Sequence, residues 1–407
     1  MFPTLAITFL AFFLRIFNLS TPKGLVFDEI YYVDGARDYL KHGVEVTNGA
    51  AEFVVHPPVG KWLIAAGIKL FGDHEFGWRI AVAIAGTLTV YLTARIAKRI
   101  FHESHWATLA ALLMALDGLN LVMSRTALLD IFLTLFVLLS VNSWLKGNYL
   151  SFAVYLGLAM GSKWSALYFI LVFLLLEYIL NRNLIRVIRV GFTSIGVYIL
   201  SWFGWFASSL GWDRDAKSNP IFSLIYYHKE MLGFHTSLTE NHSYQANPWS
   251  WIVMGRPTSF FYESPKGCGT KSCAQEVLAL GTPILWWIGA IALIFLIGIN
   301  LHNFAMREVE LSSLIPFLGI LAGYIPWFFF QERTVFTFYA IVFQPFLILA
   351  IVLLAKIAYE YDERLKNLIL VTVIVVAINF IYFYPIFTGV LTSYDEWYSR
   401  MWWSSWI

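Results

Sequence analysis

The sequence predicts an all-α polytopic membrane protein with about eleven transmembrane helices. Three observations support this fold class. The 407 residues are 59% hydrophobic and only 13% charged, whereas soluble domains carry roughly 25% charged residues. Apolar runs long enough to cross a bilayer recur along the whole chain. Lysine and arginine are unevenly shared between the connections, as the positive-inside rule requires. The chain, residues 1–407, is therefore treated as one transmembrane domain.

The apolar runs define the predicted spans. They cover residues 2–19, 76–96, 105–123, 126–144, 149–162, 163–180, 187–210, 281–300, 311–330, 335–355 and 367–387. Only Gly161-Ser162-Lys163 divides the fifth run from the sixth. Two shorter stretches, about 33–42 and 60–71, are too polar or too short to span. We expect both to be amphipathic helices in the interface plane.

The basic residues set the predicted orientation. With a cytoplasmic N-terminus, the cytoplasmic connections carry Arg95, Lys98, Arg99, Lys146, Arg182, Arg186, Arg189, Arg307, Lys356, Arg364 and Lys366. The short connections on the other side carry only Arg125, Lys163 and Arg333. The loop at 20–75 and the large loop at 211–280 are therefore expected on the outer face of the plasma membrane.

The first outer loop, 20–75, opens with two adjacent carboxylates, Asp28 and Glu29. Charge at the mouth of a membrane helix is costly and usually functional, so we predict both as catalytic residues. The alternative is a solvated loop end. The same loop holds the sequence from His56 to Lys61, with two prolines that favour an extended turn. His56 is expected to position a substrate or simply to pack in the loop.

The three outer basic residues indicate an anion at the membrane surface. An isoprenoid-linked phosphate fits, because its tail stays in the bilayer while arginine binds phosphate oxygens bidentately. The alternatives are snorkelling or ion pairing, such as Arg125 with Asp130 or Arg333 with Glu332. The residues assigned to substrate binding are His56, Lys61, Arg125, Asp130, Lys163, Trp164 and Arg333.

Glycosyl transfer from such a donor needs a base for the attacking hydroxyl and cations for the leaving phosphate. Asp28 is predicted to supply the first, and Arg333, with Lys163 or Arg125, the second. Neither a metal nor another cofactor is required if cations already neutralise a single phosphate.

The large outer loop at 211–280 contains both cysteines of the chain, Cys268 and Cys273. A disulfide between them is geometrically possible on an oxidising face, with two free thiols as the alternative. The loop's His228, His235 and His242 are scattered and are not assigned to a metal. No separate domain is predicted in this loop.

Taken together, the motifs resemble those of bacterial protein O-mannosyltransferases, relatives of the dolichyl-phosphate-mannose protein mannosyltransferases of yeast and animals. The matching stretches, in the family's order, are Phe27-Asp28-Glu29, Val55-His56-Pro57-Pro58-Val59-Gly60-Lys61, Arg125-Thr126-Ala127-Leu128-Leu129-Asp130, Ser162-Lys163-Trp164-Ser165, Pro248-Trp249-Ser250-Trp251, Gly267-Cys268-Gly269, Pro326-Trp327-Phe328 and Arg333-Thr334-Val335-Phe336-Thr337-Phe338-Tyr339.

The resemblance implies a GT-C fold and an inverting transfer of mannose from polyprenyl-phosphate mannose to serine or threonine of exported proteins. It implies that Asp28 is the base and that Arg125 and Arg333 lie near the donor phosphate. The expected partners are the lipid donor, membrane lipid and secreted or translocating acceptor proteins, with the export machinery as a further candidate. Nothing in the composition indicates nucleic acid.

Two other functions are considered. A GT-C enzyme could move another lipid-linked sugar, such as aminoarabinose, to a lipid or glycan. A transporter could use Asp28 and Glu29 as a proton relay, but it should carry its ionisable residues near mid-membrane. Here most of them cluster at the outer edge, apart from Asp117, near a helix end.

Overall fold

The computed structural model describes residues 2–407, which are mostly helical. The α-helices are Phe2–Ile16 (α1), Glu29–His42 (α2), Val59–Phe71 (α3), Glu75–Phe101 (α4), Ser104–Ala115 (α5), Gly118–Met123 (α6), Asp130–Trp144 (α7), Tyr149–Ser162 (α8), Ala166–Asn181 (α9), Leu184–Ser201 (α10), Phe203–Ala207 (α11), Pro220–Ser237 (α12), Pro283–Met306 (α13), Leu311–Tyr324 (α14), Gln344–Tyr361 (α15), Lys366–Thr388 (α16) and Tyr394–Ser399 (α17).

Short 3-10 turns and strands complete the chain. The 3-10 turns are Pro248–Ser250, Ile325–Phe329, Thr337–Val342, Glu363–Leu365 and Ser404–Trp406. The strands are Val46–Thr47 (β1), Ala50–Ala51 (β2), Thr258–Glu263 (β3), Cys273–Ala279 (β4) and Thr392–Ser393 (β5). All of the strands lie outside the apolar helices.

Every predicted span overlaps one of the apolar helices. Within residues 2–407, six helical segments are long and apolar enough to cross a membrane, and α1, α5, α7, α8 and α9 are shorter apolar helices. The predicted interfacial stretches fall inside α2 and α3. A polytopic membrane protein is therefore the correct class, while the number of helices that cross the bilayer stays a prediction.

The predicted span at 105–123 is broken at Asp117. Its carboxylate accepts a hydrogen bond from the Asn120 amide at 2.7 Å and caps α6. The Trp286 indole donates to its other oxygen at 2.6 Å. Thr282, which precedes α13, bonds the chain on both sides of the break. Asp117 therefore stands at the N-terminus of α6, where free amides and the helix dipole favour negative charge.

The loop at 211–280 contains a helix and a β-hairpin that were not predicted from the sequence. It holds α12 and an antiparallel hairpin of β3 and β4, to which β5 adds a third strand. A disulfide joins Cys268 to Cys273 across the hairpin loop, with the Cα atoms 5.9 Å apart. β-Pairing depends on a distant partner strand, which a local apolar count does not register.

A close approach brings α8 to α3. A side chain on Gly161 would place its Cβ only 2.6 Å from Val59 Cγ2, at the start of α3. Glycine is therefore required where the end of α8 meets the start of α3. This contact brings Lys163, just after α8, to the loop that carries His56.

A buried ion pair fixes the first outer loop. Arg79 donates from Nε and Nη2 to the two Glu29 oxygens at 2.8 and 2.7 Å, and both side chains are fully buried. Arg79 also binds the carbonyls of Pro22 and Gly24 at 2.8 and 3.0 Å. Each Glu29 oxygen also accepts a hydrogen bond from a loop amide, Oε1 from Ala127 and Oε2 from Val26. Removing one partner would leave the other charge buried and unpaired.

We expect Arg79→Met to lower the free energy of unfolding by about 3–5 kcal/mol, because Glu29 would keep its charge without a counter-ion. Denaturant titration of the purified protein in micelles measures this change. Lys366→Ala removes an exposed pair with Glu363 and should change the same quantity by less than about 1 kcal/mol. Equal effects of the two substitutions would contradict a structural role for the buried pair.

Candidate active site

Asp28 stands at the N-terminus of α2 and is half-buried. Burial raises its pKa to about 6, the Lys163 ammonium lowers it, the Asp130 carboxylate raises it, and a hydrogen bond with Tyr32 lowers it. A carboxylate with a pKa near 6 is charged at neutral pH yet basic enough to accept a proton. Asp28 therefore has the properties of a general base.

The residue before Asp28 has a strained backbone. Phe27 has a φ of 48°, in the left-handed region that bulky side chains avoid. Its ring packs against four others. It stacks on Phe260 at 4.6 Å between centroids and lies edge-on to Phe338 at 5.6 Å, Phe336 at 6.0 Å and His242 at 6.5 Å. This aromatic packing offsets the strain and fixes the position of Asp28.

Lys163 and Asp130 form a second buried pair. Lys163 Nζ donates to Asp130 Oδ1 at 2.8 Å and lies 4.3 Å from the centre of the Tyr339 ring. Lys163 directly follows α8, and Asp130 is the first residue of α7. The structure thus rejects the alternative pairing of Asp130 with Arg125. The shared carboxylate orients the ammonium and leaves it two further N–H donors.

Lys163 and Arg333 both line a cavity of 180 Å³. Its other lining residues are His56, Trp164, Ser165, Leu167, Tyr168, Leu232, His235, Thr236, Trp327 and Phe330. Asp28 does not line the cavity. It is near enough to Lys163, which does, for the ammonium charge to lower the carboxyl pKa against the larger raising effect of burial. Of the predicted substrate-binding set, the cavity therefore collects His56, Lys163, Trp164 and Arg333.

The Arg333 guanidinium has donors to spare. Its Nη2 lies 3.4 Å from His235 Nδ1, and it sits 5.8 Å from the Trp327 ring. Its Nε is buried without a hydrogen-bond partner in the protein. An unsatisfied buried N–H of a charged group is costly, so this atom points to an anionic ligand. The predicted alternative partner, Glu332, is exposed.

The two histidines of the cavity are neutral. Burial lowers the pKa of His56 well below its usual range, with Lys163 and His235 acting in the same direction. Burial also lowers the pKa of His235 to about 4, against the raising effect of its bond to the Val55 carbonyl. The positive charge of the cavity therefore comes from Lys163 and Arg333 alone among its lining residues.

An apolar groove borders this cavity. A second cavity of 380 Å³ shares Tyr168 and Phe330 with the first. Its other lining residues are Leu171, Val172, Leu321, Ala322, Ile325, Pro326 and Phe329, from α9, α14 and the turn that follows α14. The cationic cavity thus has an apolar groove between two helices as its neighbour.

Three predicted site residues, Glu29, Lys61 and Arg125, hold parts of the chain together in this structure. Glu29, predicted as catalytic, has both oxygens saturated by Arg79 and loop amides. Lys61 is buried in an ion pair with Glu45. Both side chains are buried and ion-paired in this structure, and neither lines the cavity of Lys163 and Arg333, so their roles toward a substrate are not supported by this geometry.

Arg125, predicted to bind the substrate, ties down the end of α1. It donates to the carbonyls of Arg15, Phe17 and Asn18 at 2.9, 2.6 and 2.8 Å. Cations are favoured at a helix C-terminus because its carbonyls are unpaired and its dipole is negative there. Arg125 thus has a structural role at the end of α1, and its contact with the donor phosphate stays a prediction.

Two contributors to the site were missed from the sequence. His235 was noted only as a scattered histidine, because α12 was not predicted. Tyr32 carries no local signal beyond its place four residues after Asp28, one turn along α2. Within residues 2–407, no group of three or more His, Cys, Asp or Glu side chains is arranged to hold a metal ion. Independence from metal stays a prediction.

Comparison with known proteins identifies the family. Residues 5–74 and 55–207 match profiles described as dolichyl-phosphate-mannose-protein mannosyltransferase, and residues 221–406 match the C-terminal four-transmembrane region of protein O-mannosyltransferase. The polyprenol-phosphate-mannose–protein mannosyltransferase of Mycolicibacterium smegmatis is 31% identical over 99% of this chain and 92% of its own length. The chain belongs to the protein O-mannosyltransferase family.

Further relatives agree with this assignment. The Mycobacterium tuberculosis protein of the same name is 32% identical over 98% of this chain and 90% of its own length. A structure of the S. cerevisiae Pmt1-Pmt2 complex bound to the sugar donor matches with a TM-score of 0.82, 16% identity, and coverage of 100% of this chain and 92% of that one. The ArnT protein of Cupriavidus metallidurans bound to undecaprenyl phosphate matches less well, with a TM-score of 0.57, 18% identity, and coverage of 94% and 70%. The expected GT-C fold is thus confirmed.

The two outer arginines should respond differently to substitution. Arg125→Ala should lower the free energy of unfolding by about 1.5–3 kcal/mol, because several carbonyls lose a charged donor. Arg333→Ala should leave stability nearly unchanged but abolish the rise in melting temperature caused by a polyprenyl phosphate. Thermal unfolding with and without that lipid measures both effects. A normal lipid-induced rise in the Arg333 variant would contradict the phosphate assignment.

Proposed function

We propose that this chain transfers mannose from polyprenyl-phosphate mannose to serine or threonine hydroxyls of exported proteins, with inversion at the anomeric carbon. The observation that carries the proposal is a pair of neighbouring cavities that share Tyr168 and Phe330 in their walls. The first holds Lys163 and the unsatisfied Arg333 Nε, and Lys163 also acts on the Asp28 carboxyl, whose pKa is raised to about 6 by burial. The second is the apolar groove between α9 and α14. Family membership and the names of the bacterial relatives support the same reaction.

The reaction needs one proton acceptor. The acceptor hydroxyl gives its proton to Asp28 as its oxygen attacks the anomeric carbon from the face opposite the phosphate. The bond between that carbon and the phosphate oxygen breaks, and polyprenyl phosphate leaves with the electron pair. Asp28 suits this step because its pKa of about 6 lies near the working pH. Glu29 holds the loop and takes no proton.

The leaving phosphate gains negative charge in the transition state. Arg333 can offer Nε and its remaining terminal N–H groups, and Lys163 its two unused N–H donors. Both are oriented beforehand, by His235 and by Asp130. Preorganised donors stabilise developing charge without a cost of reorganisation.

The groove supplies a path for the isoprenoid tail. Its walls are almost wholly apolar, and it begins at Tyr168 and Phe330, where the cationic pocket ends. We infer that the donor lies with its phosphate at Arg333 and its tail between α9 and α14. Trp164 forms part of the pocket wall near the sugar.

We propose that the site lies on the outer face of the plasma membrane, with the N-terminus in the cytoplasm. Glu75 begins α4 beside Gly24 of the first loop, and Arg99 lies near the opposite end of the same helix. A helix of this length spans roughly 40 Å. Arg99, one of the basic residues predicted to be cytoplasmic, therefore lies at the end of α4 that is remote from Asp28. The positive-inside rule requires this arrangement if Asp28 faces the outside. The loops at 20–75 and 211–280 are proposed as the catalytic and covering outer loops.

Transfer assays test the proposal directly. Purified protein in liposomes should move radiolabelled mannose from polyprenyl-phosphate mannose to a serine- and threonine-rich peptide. The product should have the inverted anomeric configuration. Transfer of a different lipid-linked sugar, such as aminoarabinose, with no transfer of mannose would instead support the alternative enzyme. The same assay in membranes tests whether mannose is transferred to proteins undergoing export. It also tests any association with the export machinery.

Asp28→Asn should reduce kcat by about 10²–10⁴-fold, because the amide keeps the shape but cannot accept the proton. Transfer assays at saturating donor and acceptor measure kcat. Asp34→Asn is the matched control, since this carboxylate is exposed on the same helix and pairs with Arg37. Near-normal turnover by the Asp28 variant would remove Asp28 from the mechanism.

The pH profile should report the Asp28 carboxyl. Its pKa is raised to about 6, so the carboxylate needed for catalysis is protonated as the pH falls through that value. We expect kcat/KM to drop about tenfold per pH unit below about pH 6 and to level off above it. Initial rates between pH 4.5 and 8, at constant ionic strength, give the profile. An unchanged rate at pH 5 would be incompatible with this base.

A further inference from the structure

The outer helix α12 carries two histidines on the face that meets the donor cavity. His228 and His235 are two helical turns apart, so they point in nearly the same direction. Each has one ring nitrogen bonded to a backbone carbonyl and the other directed at a side chain of the site. Neither histidine exchanges a proton in the reaction described above.

The tautomer of His235 follows from its contacts. Its Nε2 lies 2.8 Å from the Val55 carbonyl, which only accepts, so Nε2 carries the proton. Nδ1 therefore presents a lone pair, and the nearby Arg333 Nη2 donates to it at 3.4 Å. One imidazole thus links the loop that carries His56 to the free cation of the cavity.

His228 has the opposite arrangement. Its Nδ1 donates to the Leu224 carbonyl at 2.7 Å, so its Nε2 accepts from the Tyr198 hydroxyl at 2.6 Å. The Tyr198 oxygen in turn accepts from the Trp164 indole at 2.9 Å. The His228 ring also stacks on Trp164, with centroids 5.6 Å apart. The aromatic wall of the cavity is therefore fixed through this histidine.

We propose that α12 is the positioning element of the donor site, with His235 orienting Arg333 toward the donor phosphate and His228, through Tyr198, orienting Trp164. This inference rests on the proposed function, because it assigns the two side chains to a lipid-linked phosphate sugar. Neither histidine touches the reacting atoms.

A neutral imidazole suits the task at Arg333 better than a carboxylate would. A carboxylate would bind the guanidinium more strongly, but it would cancel the charge needed by the phosphate and compete for the same N–H groups. Burial keeps His235 neutral by lowering its pKa to about 4, and the charges of Arg333 and Lys163 reinforce this. The ring therefore orients Arg333 without neutralising it.

Two substitutions at His235 separate positioning from anchoring. Glutamine can place an amide N–H where Nε2 lies, so His235→Gln keeps the bond to Val55 but loses the acceptor for Arg333. Asparagine can place an oxygen where Nδ1 lies, so His235→Asn keeps that acceptor but loses the anchor. The control is His302→Gln, because this histidine is exposed near the end of α13.

The assay measures binding of a polyprenyl phosphate to the whole protein in detergent, with the unphosphorylated polyprenol as a second probe. His235→Gln should weaken phosphate-lipid binding by about tenfold, the loss of one hydrogen bond to a charged group. It should raise the donor KM and lower kcat at saturating donor, because Arg333 contacts both the bound phosphate and its developing charge, and it should leave the acceptor KM unchanged. His235→Asn should bind within about threefold of the wild type. The polyprenol should bind all variants equally.

Other outcomes are decisive as well. Equal lipid binding by wild type and His235→Gln would overturn the positioning role, and so would a larger loss in His235→Asn than in His235→Gln. In an Arg333→Lys background, His235→Gln should have little further effect, because the oriented guanidinium is gone. Failure of the wild type to bind the phosphate lipid would instead overturn the proposed function, and this inference with it.

Discussion

A buried ion pair between Glu29 and Arg79 holds the catalytic end of this molecule together. Glu29 follows Asp28 directly, so each bond that fixes Glu29 also limits where Asp28 can lie. Arg79 also donates to the carbonyls of Pro22 and Gly24, and Glu29 accepts from the amide of Ala127. Three separate parts of the sequence therefore meet around one carboxylate. Buried pairs of this kind add little net stability, but they are specific in geometry.

The surrounding charges show how one fold gives neighbouring acids different tasks. Glu29 is saturated by hydrogen bonds, and Asp130 is paired with Lys163. Asp28 has only the more distant charge of Lys163 and a bond with Tyr32, and burial raises its pKa. Pairing keeps a carboxylate charged and occupied, whereas partial desolvation leaves it basic and available. This contrast separates the proposed base from its structural neighbours.

The proposed donor site lies where two environments meet. Lys163 and Arg333 line one cavity, and the neighbouring groove runs between apolar helices. A ligand with a charged head and a hydrocarbon tail matches both at once. The neutral histidines fit the same logic, because they supply hydrogen bonds beside Arg333 without reducing the positive charge. Outer helix α12 brings one of them, although nothing in the local sequence marks it as part of the site.

The sequence by itself determined the membrane class, the order of the apolar helices and the family resemblance, because hydrophobic runs and short motifs are local properties. It also singled out Asp28, Lys163 and Arg333, since charge beside a membrane helix is rare. Only the tertiary structure decided that Glu29, Lys61 and Arg125 are occupied in holding the chain together. The physical reason is that a sequence shows which side chains can donate or accept, while only packing shows which donors and acceptors have already been used.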